Sequence, residues 1–272
     1  MKIRILLVSL FILVAPACLV AKLKITYGIS THQNKRPYQE DTFDYADVAG
    51  GKFFAVYDGH GGAQVSSFLK DNMHTYFLQC LAGKTIQQAF ECTFARVEDY
   101  ALNHYDDGST AAVAYVDKDN VLHYAWTGDS RVVLECNGKA CFATDDHKPD
   151  REDEKARIEK AGGVVWFHGV WRVNGLAVSR SIGDKKAKTG KEGQIIAIPE
   201  YAQKQLTSDN QFLIVASDGI WDTISNEEAV VMVAQGLQDK KSLDAIAQML
   251  QNEAIAKGSK DNITVCVVEF DW

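Results

Sequence analysis

Four apolar runs of β type each carry an aspartate at one end. "FFAVY" (53–57) leads into Asp58, "VLHYAWTG" (121–128) into Asp129 and "FLIVAS" (212–217) into Asp218, while Asp261 and Asn262 precede "ITVCVVEF" (263–270). Asp222 follows Asp218 by four residues, and Glu40 and Asp41 follow "KRPYQ". One aspartate at a strand end is an ordinary turn residue. Several on one fold repel one another if they converge, and their pKa values rise unless a positive charge sits among them. The chain must therefore scatter these carboxylates over its surface or gather them around cations. The run after Asp58, "GHGG", favours gathering. A turn explains Asp58 and Gly59 but gives no reason for His60 and Gly62.

The rest of the chain frames this choice. Strand-like stretches are "KITYGIS", "FFAVYD", "TAAVAYV", "VLHYAWTG", "RVVLEC", "ACFAT", "FLIVASD" and "ITVCVVEF". Apolar residues three and four apart predict helices over 64–81, 85–103, 152–161, 226–238 and 242–257. Helices in pairs and strands in runs with short turns predict an α+β fold of antiparallel sheets with helices packed outside. Residues 180–198 read as a basic, glycine-containing surface excursion. With 46% hydrophobic residues, 24% charged and only four prolines, the chain is globular. Its net charge of −7 argues against a nucleic-acid surface.

A hard divalent cation is the natural partner for gathered carboxylates. Mn²⁺ and Mg²⁺ take oxygen ligands, whereas the Cys and His residues show no zinc spacing. Two such ions can clamp a phosphoryl group and lower the pKa of a bound water. Arg36 is placed to hold a phosphate bidentately, and His60 to protonate a leaving alkoxide.

Eight motifs in order, "RPYQED", "VYDGHGG", "GSTAAVAYV", "WTGDSRVVL", "DHKPDREDEKARIEKAGG", "VNGLAVSRSIGD", "ASDGIWD" and "GSKDNITV", resemble the metal-dependent protein phosphatase 2C family of Ser/Thr phosphatases. The resemblance runs from about Leu23 to Phe270. It implies a four-layer sandwich, two central antiparallel β-sheets flanked by α-helices on both outer faces, with a two-metal site in a cleft at one end. By motif position Asp58 bridges two Mn²⁺ or Mg²⁺ ions and Gly59 contributes its carbonyl. Asp218 and Asp261 complete one metal, and Glu40 reaches the other through water. Asp129 and Asp222 fall where some members hold a third, weaker ion. Asp41 and Asn262 support the ligands beside them, Arg36 binds substrate phosphate and His60 is the general acid. The implied reaction is hydrolysis of phosphoserine and phosphothreonine in proteins by a two-metal-activated water. The alternatives are an exported phosphatase for small phosphate esters and an inactive binding module, which would show losses among the ligands. Asn34 stands where the family usually has Gly, and Asn tolerates positive φ. Gln39 stands where Met is common.

The first 21 residues differ in kind. Lys2 and Arg4 precede an apolar run that closes on Ala15, Ala17 and Ala21, the pattern of a secretory signal peptide, with a retained membrane anchor as the rival. Residues 22–272 then form the catalytic domain. The expected enzyme is an exported monomer acting on a phosphoprotein, with no nucleic-acid partner and membrane contact only if the anchor is kept. The five remaining cysteines show no metal spacing. A regular Asn137-Gly138 hairpin would set Cys136 and Cys141 diagonally, so two packed thiols are expected there. His147 is expected to order a loop, and Trp126, Trp166, Trp171 and Trp221 to pack in the core.

Overall fold

The computed structural model describes residues 23–272, so the signal peptide or anchor expected over residues 1–21 lies outside the described residues. The chain begins with β1 (Lys24–His32), β2 (Thr42–Val48), β3 (Gly51–Tyr57) and the two-residue β4 (Gly59–His60), then helices α1 (Gln64–Cys80) and α2 (Ile86–His104). Strands β5 (Gly108–Ser109), β6 (Ala111–Val116), β7 (Val121–Thr127), β8 (Arg131–Cys136) and β9 (Lys139–Ala143) lead to α3 (Glu152–Lys160). A less regular stretch holds β10 (Trp166–His168), β11 (Val170–Arg172), β12 (Ile182–Gly183) and α4 (Lys185–Lys188). The remainder is β13 (Glu200–Gln205), β14 (Phe212–Ala216), α5 (Asp218–Trp221), α6 (Asn226–Gln238), α7 (Leu243–Ala256) and β15 (Ile263–Asp271).

Two five-stranded sheets result, ordered β1-β15-β14-β8-β9 and β13-β7-β6-β3-β2. Their pairings are antiparallel. Side chains alternate across a strand, so β3 sends Phe53, Ala55 and Tyr57 to one side and Phe54 and Val56 to the other. The first set packs under α1 and α2 with Leu69, Phe77 and Phe90. The second meets Leu134, Leu213, Val215 and Val268 of the facing sheet. That sheet's outer face, Val133, Ile214, Val265 and Val267, is covered by α6 and α7 through Val230, Val233, Ile246 and Leu250. Hence four layers, and hence inner strands such as β6 and β14 that are apolar and buried at every position, since both faces of each sheet are covered. The helix starts are set locally: Thr85 and Ser225 close capping boxes with Gln88 and Glu228, and Ser242 caps α7, each cap contributing about 1 kcal/mol. None of the described helices is long and apolar enough to cross a membrane.

Three expectations are corrected. Cys136 and Cys141 form a disulfide rather than two packed thiols. The hairpin is not regular: Glu135 pairs with Ala140 but Leu134 with Phe142, so Cys141 is the extra residue of a bulge and turns back toward Cys136. A second disulfide, Cys80–Cys92, staples α1 to α2, while Cys266 is a buried thiol. Trp166 and Trp171 are exposed, because a hairpin of three-residue strands has no layer above it; Trp126 and Trp221 are buried. The 180–198 stretch is partly interior, with Ile182 and Ile195 buried and Lys188 bonded to Glu98.

Candidate metal centre and active site

The carboxylates converge at one end of the sandwich because the strands that carry them end there. At the close of β3 the Asp58 N–H donates to Thr110 Oγ1 at 3.1 Å, and its carbonyl accepts from Thr110 N–H at 2.8 Å. The chain then enters a small sheet, β12-β5-β4, pairing Gly59 with Ser109 and His60 with Gly108. A Cβ at Gly59 would fall 2.5 Å from the Glu40 carbonyl oxygen, so only glycine lets these two segments touch. Asp129 follows Gly128, whose φ of +95° sets the turn between β7 and β8. Asp218 opens α5, and Asp261 stands just before β15.

Asp58, Asp129 and Asp218 each offer a carboxylate oxygen within 4.8 Å of the others. With Arg36, Gly59, His60 and Asp261 they line one cavity of about 260 Å³. Asp222 lies beside the cluster and interacts with the charges of Lys148, Asp129 and Asp261. Glu40 is held by its backbone: its N–H donates to Asn262 Oδ1 at 2.8 Å and its carbonyl accepts from Ser66 Oγ at 2.6 Å. Asn262 Nδ2 donates to the carbonyls of Gln33 and Tyr38, both at 2.9 Å, and so ties the loop carrying Arg36 and Glu40 to the start of β15. Asn34 takes φ +53° in that loop, a left-handed conformation that Asn tolerates better than most residues.

Electrostatics separate this cluster from a set of turn residues. Burial, then the charges of Asp41, Asp218, Asp129 and Asp261, push the Asp58 carboxyl well above the usual carboxylate range. Asp218 is pushed up the same way, by burial and then by Asp129, Asp222 and Asp261. Burial raises Asp41 to about 6 despite hydrogen bonds from Ser217 and Thr264. Asp218 Oδ1 and Asp41 Oδ1 are buried without a hydrogen-bond partner among the described residues. Crowded anionic oxygens, unpartnered and unfavourable as anions, fit a hard divalent cation and no soft one.

Two neighbours escaped the sequence reading. Asp184 Oδ1 and Oδ2 lie 3.0 and 2.8 Å from His60 Nε2. Burial alone would lower the imidazole pKa, but the Asp184 hydrogen bond and charge, with Asp129 and Glu40, leave it raised. Lys148 makes an ion pair with Asp129. Both residues sit inside motifs quoted above, and what marks them is a charge close to a buried residue: Asp184 stands two positions after Ile182 and Lys148 directly after His147. His147 itself orders a loop: its Nδ1 accepts from Gly128 N–H at 3.1 Å and its N–H donates to the Gly128 carbonyl at 2.9 Å, bracing the turn that presents Asp129. Arg36 is half exposed and ion-paired with Asp261.

A carboxylate centre lined by a guanidinium and by an imidazole hydrogen-bonded to a carboxylate is equipped for metal-assisted hydrolysis of phosphate esters. Known proteins sharpen this class. The family model described as "Protein phosphatase 2C" matches residues 33–263. Probable protein phosphatase 2C 11 of Arabidopsis thaliana is 41% identical, over 93% of this chain and 68% of that protein. Probable protein phosphatase 2C 59 of Oryza sativa subsp. japonica is 40% identical, over 91% and 76%. Among solved structures, serine-threonine phosphatase 2C from Toxoplasma gondii superposes with a TM-score of 0.78 at 25% identity, over 91% of this chain and 95% of that one. A C. elegans sex determining protein superposes with a TM-score of 0.79, and this chain spans 64% of it. The chain belongs to the protein phosphatase 2C family of protein serine/threonine phosphatases.

Proposed function

We propose that the enzyme uses Mn²⁺ or Mg²⁺ held by Asp58, Gly59, Asp218 and Asp261, with Glu40 nearby and Asp129 and Asp222 offering a weaker third position. The convergence of Asp58, Asp129 and Asp218 oxygens within 4.8 Å carries this reading. When bound, the ions supply charge for the phosphoryl oxygens and a water of lowered pKa. The protein's own groups do the rest. Arg36 offers a planar guanidinium that can hold two phosphate oxygens while remaining beside Asp261. His60, oriented at Nε2 by Asp184, holds a proton for the departing serine or threonine oxygen, whose alkoxide is too basic to leave unaided. Asp41 and Asn262 fix the backbone and side chains around the ligands. The test is phosphopeptide hydrolysis that stops with a chelator and returns with Mn²⁺. Full activity in metal-free buffer overturns the metal assignment.

The same reading places the enzyme outside the cytoplasm, delivered by residues 1–21 as a signal peptide or held there by them as an anchor. Two disulfides support it, since such bonds persist in oxidising compartments. Fusing residues 1–24 to a reporter decides: export with cleavage near Ala17 or Ala21 supports a signal, export without cleavage an anchor, and cytosolic retention neither.

A further inference from the structure

Half of the ten exposed large apolar residues on the described surface lie on the β10–β11 hairpin or just before it. Val164, Trp166, Phe167, Val170 and Trp171 are 69, 43, 62, 48 and 40% exposed. Clustered side chains of this size on a soluble surface mark a place where something docks. The hairpin is also well anchored. At its base Val165, Val173 and Leu176 pack on the buried Ile158 and Ile195, and Val173 and Leu176 exchange backbone hydrogen bonds of 3.0 and 2.9 Å. Its exposed residues are therefore held out on a fixed element.

Register shows which way the hairpin faces. Trp166 pairs with Arg172, Phe167 with Trp171 and His168 with Val170. Alternation puts Trp166, His168, Val170 and Arg172 on one face and Phe167 and Trp171 on the other, their rings 5.3 Å apart, edge to face. Arg172 also lines the cavity that contains Asp58, Asp129 and Asp218. The face bearing Trp166 and Val170 is thus continuous with the wall of the reaction cavity. That cavity, about 260 Å³, admits a phosphorylated side chain but not the polypeptide that bears it. The substrate backbone must cross the rim, and this hairpin is the apolar part of the rim.

We propose that the Trp166–Val170 face is a docking lip that selects phosphoproteins with a bulky apolar residue close in sequence to the phosphorylated one. The inference rests on the phosphatase reading above and names the substrate class of the same site. With the phosphate in the cavity, a neighbouring Leu, Ile, Phe or Met lies against Trp166 and Val170. A small ester such as p-nitrophenyl phosphate never reaches the lip.

The test compares kcat/KM for phosphothreonine peptides identical except for Leu or Ser placed in turn at each near-neighbour position, with p-nitrophenyl phosphate alongside. The wild-type enzyme should favour Leu at one or more positions by roughly tenfold to a hundredfold, the discrimination an apolar contact supports. Trp166→Ser combined with Val170→Ser should abolish the preference, mainly through KM, while p-nitrophenyl phosphate turnover and Mn²⁺ binding stay unchanged. Absence of any preference in the wild type, or its survival in the double variant, overturns the proposal. So does Trp166-dependent binding to phosphatidylcholine–phosphatidylglycerol vesicles without peptide discrimination, which would make the hairpin a membrane contact. Failure on p-nitrophenyl phosphate as well as on every peptide, with Mn²⁺ present, would remove the phosphatase reading and this inference with it.

Discussion

Nε2 of His60 lies within hydrogen-bonding distance of both carboxylate oxygens of Asp184, at 2.8 and 3.0 Å. The two residues are 124 positions apart and meet because β4 and β12 both pair with β5. Asp184 is buried, has φ +61° and also accepts from Ser181 Oγ at 2.6 Å, so its position is over-determined. A carboxylate so fixed orients the imidazole and favours its protonated form.

Asp184→Asn should therefore lower phosphoserine and phosphothreonine peptide turnover by about 10–10²-fold, part of the roughly 10²–10⁴-fold that a positioned acid supplies, and spare an aryl phosphate with a good leaving group. The sign on pH follows from the raised His60 pKa: losing the carboxylate lowers that pKa, so the alkaline limb of the peptide rate profile moves to lower pH. Equal losses on both substrates with an unmoved limb would reduce Asp184 to a structural residue.

Asp58 and Asp129 should separate in metal binding. By calorimetric titration with Mn²⁺, Asp58→Asn should lose at least one ion and nearly all turnover. Asp129→Asn should keep two ions and lose rate, because Asp129 already has Lys148 as a counter-charge. Unchanged stoichiometry in Asp58→Asn would remove Asp58 from the proposed ligand set.

Asp41 sets a pH dependence of the metal-free protein. Its native pKa of about 6 lies above the ordinary 3.8, so the native state binds more protons between those values and stability falls as pH rises through them. At about 1.4 kcal/mol per pKa unit the contribution is on the order of 2–3 kcal/mol. Urea unfolding with a chelator present should show wild type losing stability relative to Asp41→Asn between about pH 4 and pH 6. Parallel pH curves would show that Asp41 does not titrate in this window.

The Cys80–Cys92 bond closes a loop with a sequence separation of 12. Replacing both cysteines with alanine should cost about 3 kcal/mol, chiefly through the freed unfolded chain, and lower the thermal midpoint without changing Mn²⁺ affinity. An unchanged midpoint would show that packing between α1 and α2 suffices.

Much of the fold could be read in the chain because both sheets are buried on two faces, which makes β3, β6, β14 and β15 unbroken apolar runs, and because capping residues such as Ser225 mark helix starts. The aspartates of the site were visible for the same reason, as charges interrupting those runs. What stayed hidden depends on register and long-range pairing. The bulge at Cys141 turned expected thiols into a disulfide, and Cys80 and Cys92 are joined only once α1 and α2 lie side by side. Asp184 and Lys148 resemble any polar loop residue until His60 and Asp129 are brought against them. Trp166 and Trp171 were placed inside because tryptophan usually is, but nothing covers that face within the described chain.

Strand β15 lies between β1 and β14, and β1 has no other partner in its sheet. During synthesis the first strand must wait for the last, and Asp261 arrives with it. A partly made chain thus lacks both a closed sheet and, on the ligand set proposed above, the full metal site. Contacts this distant in sequence slow folding, but with Asp261 in its proposed role they also keep the growing polypeptide catalytically silent. If the chain crosses a membrane unfolded, it does so as an inert thread, and the enzyme comes into being only on the far side.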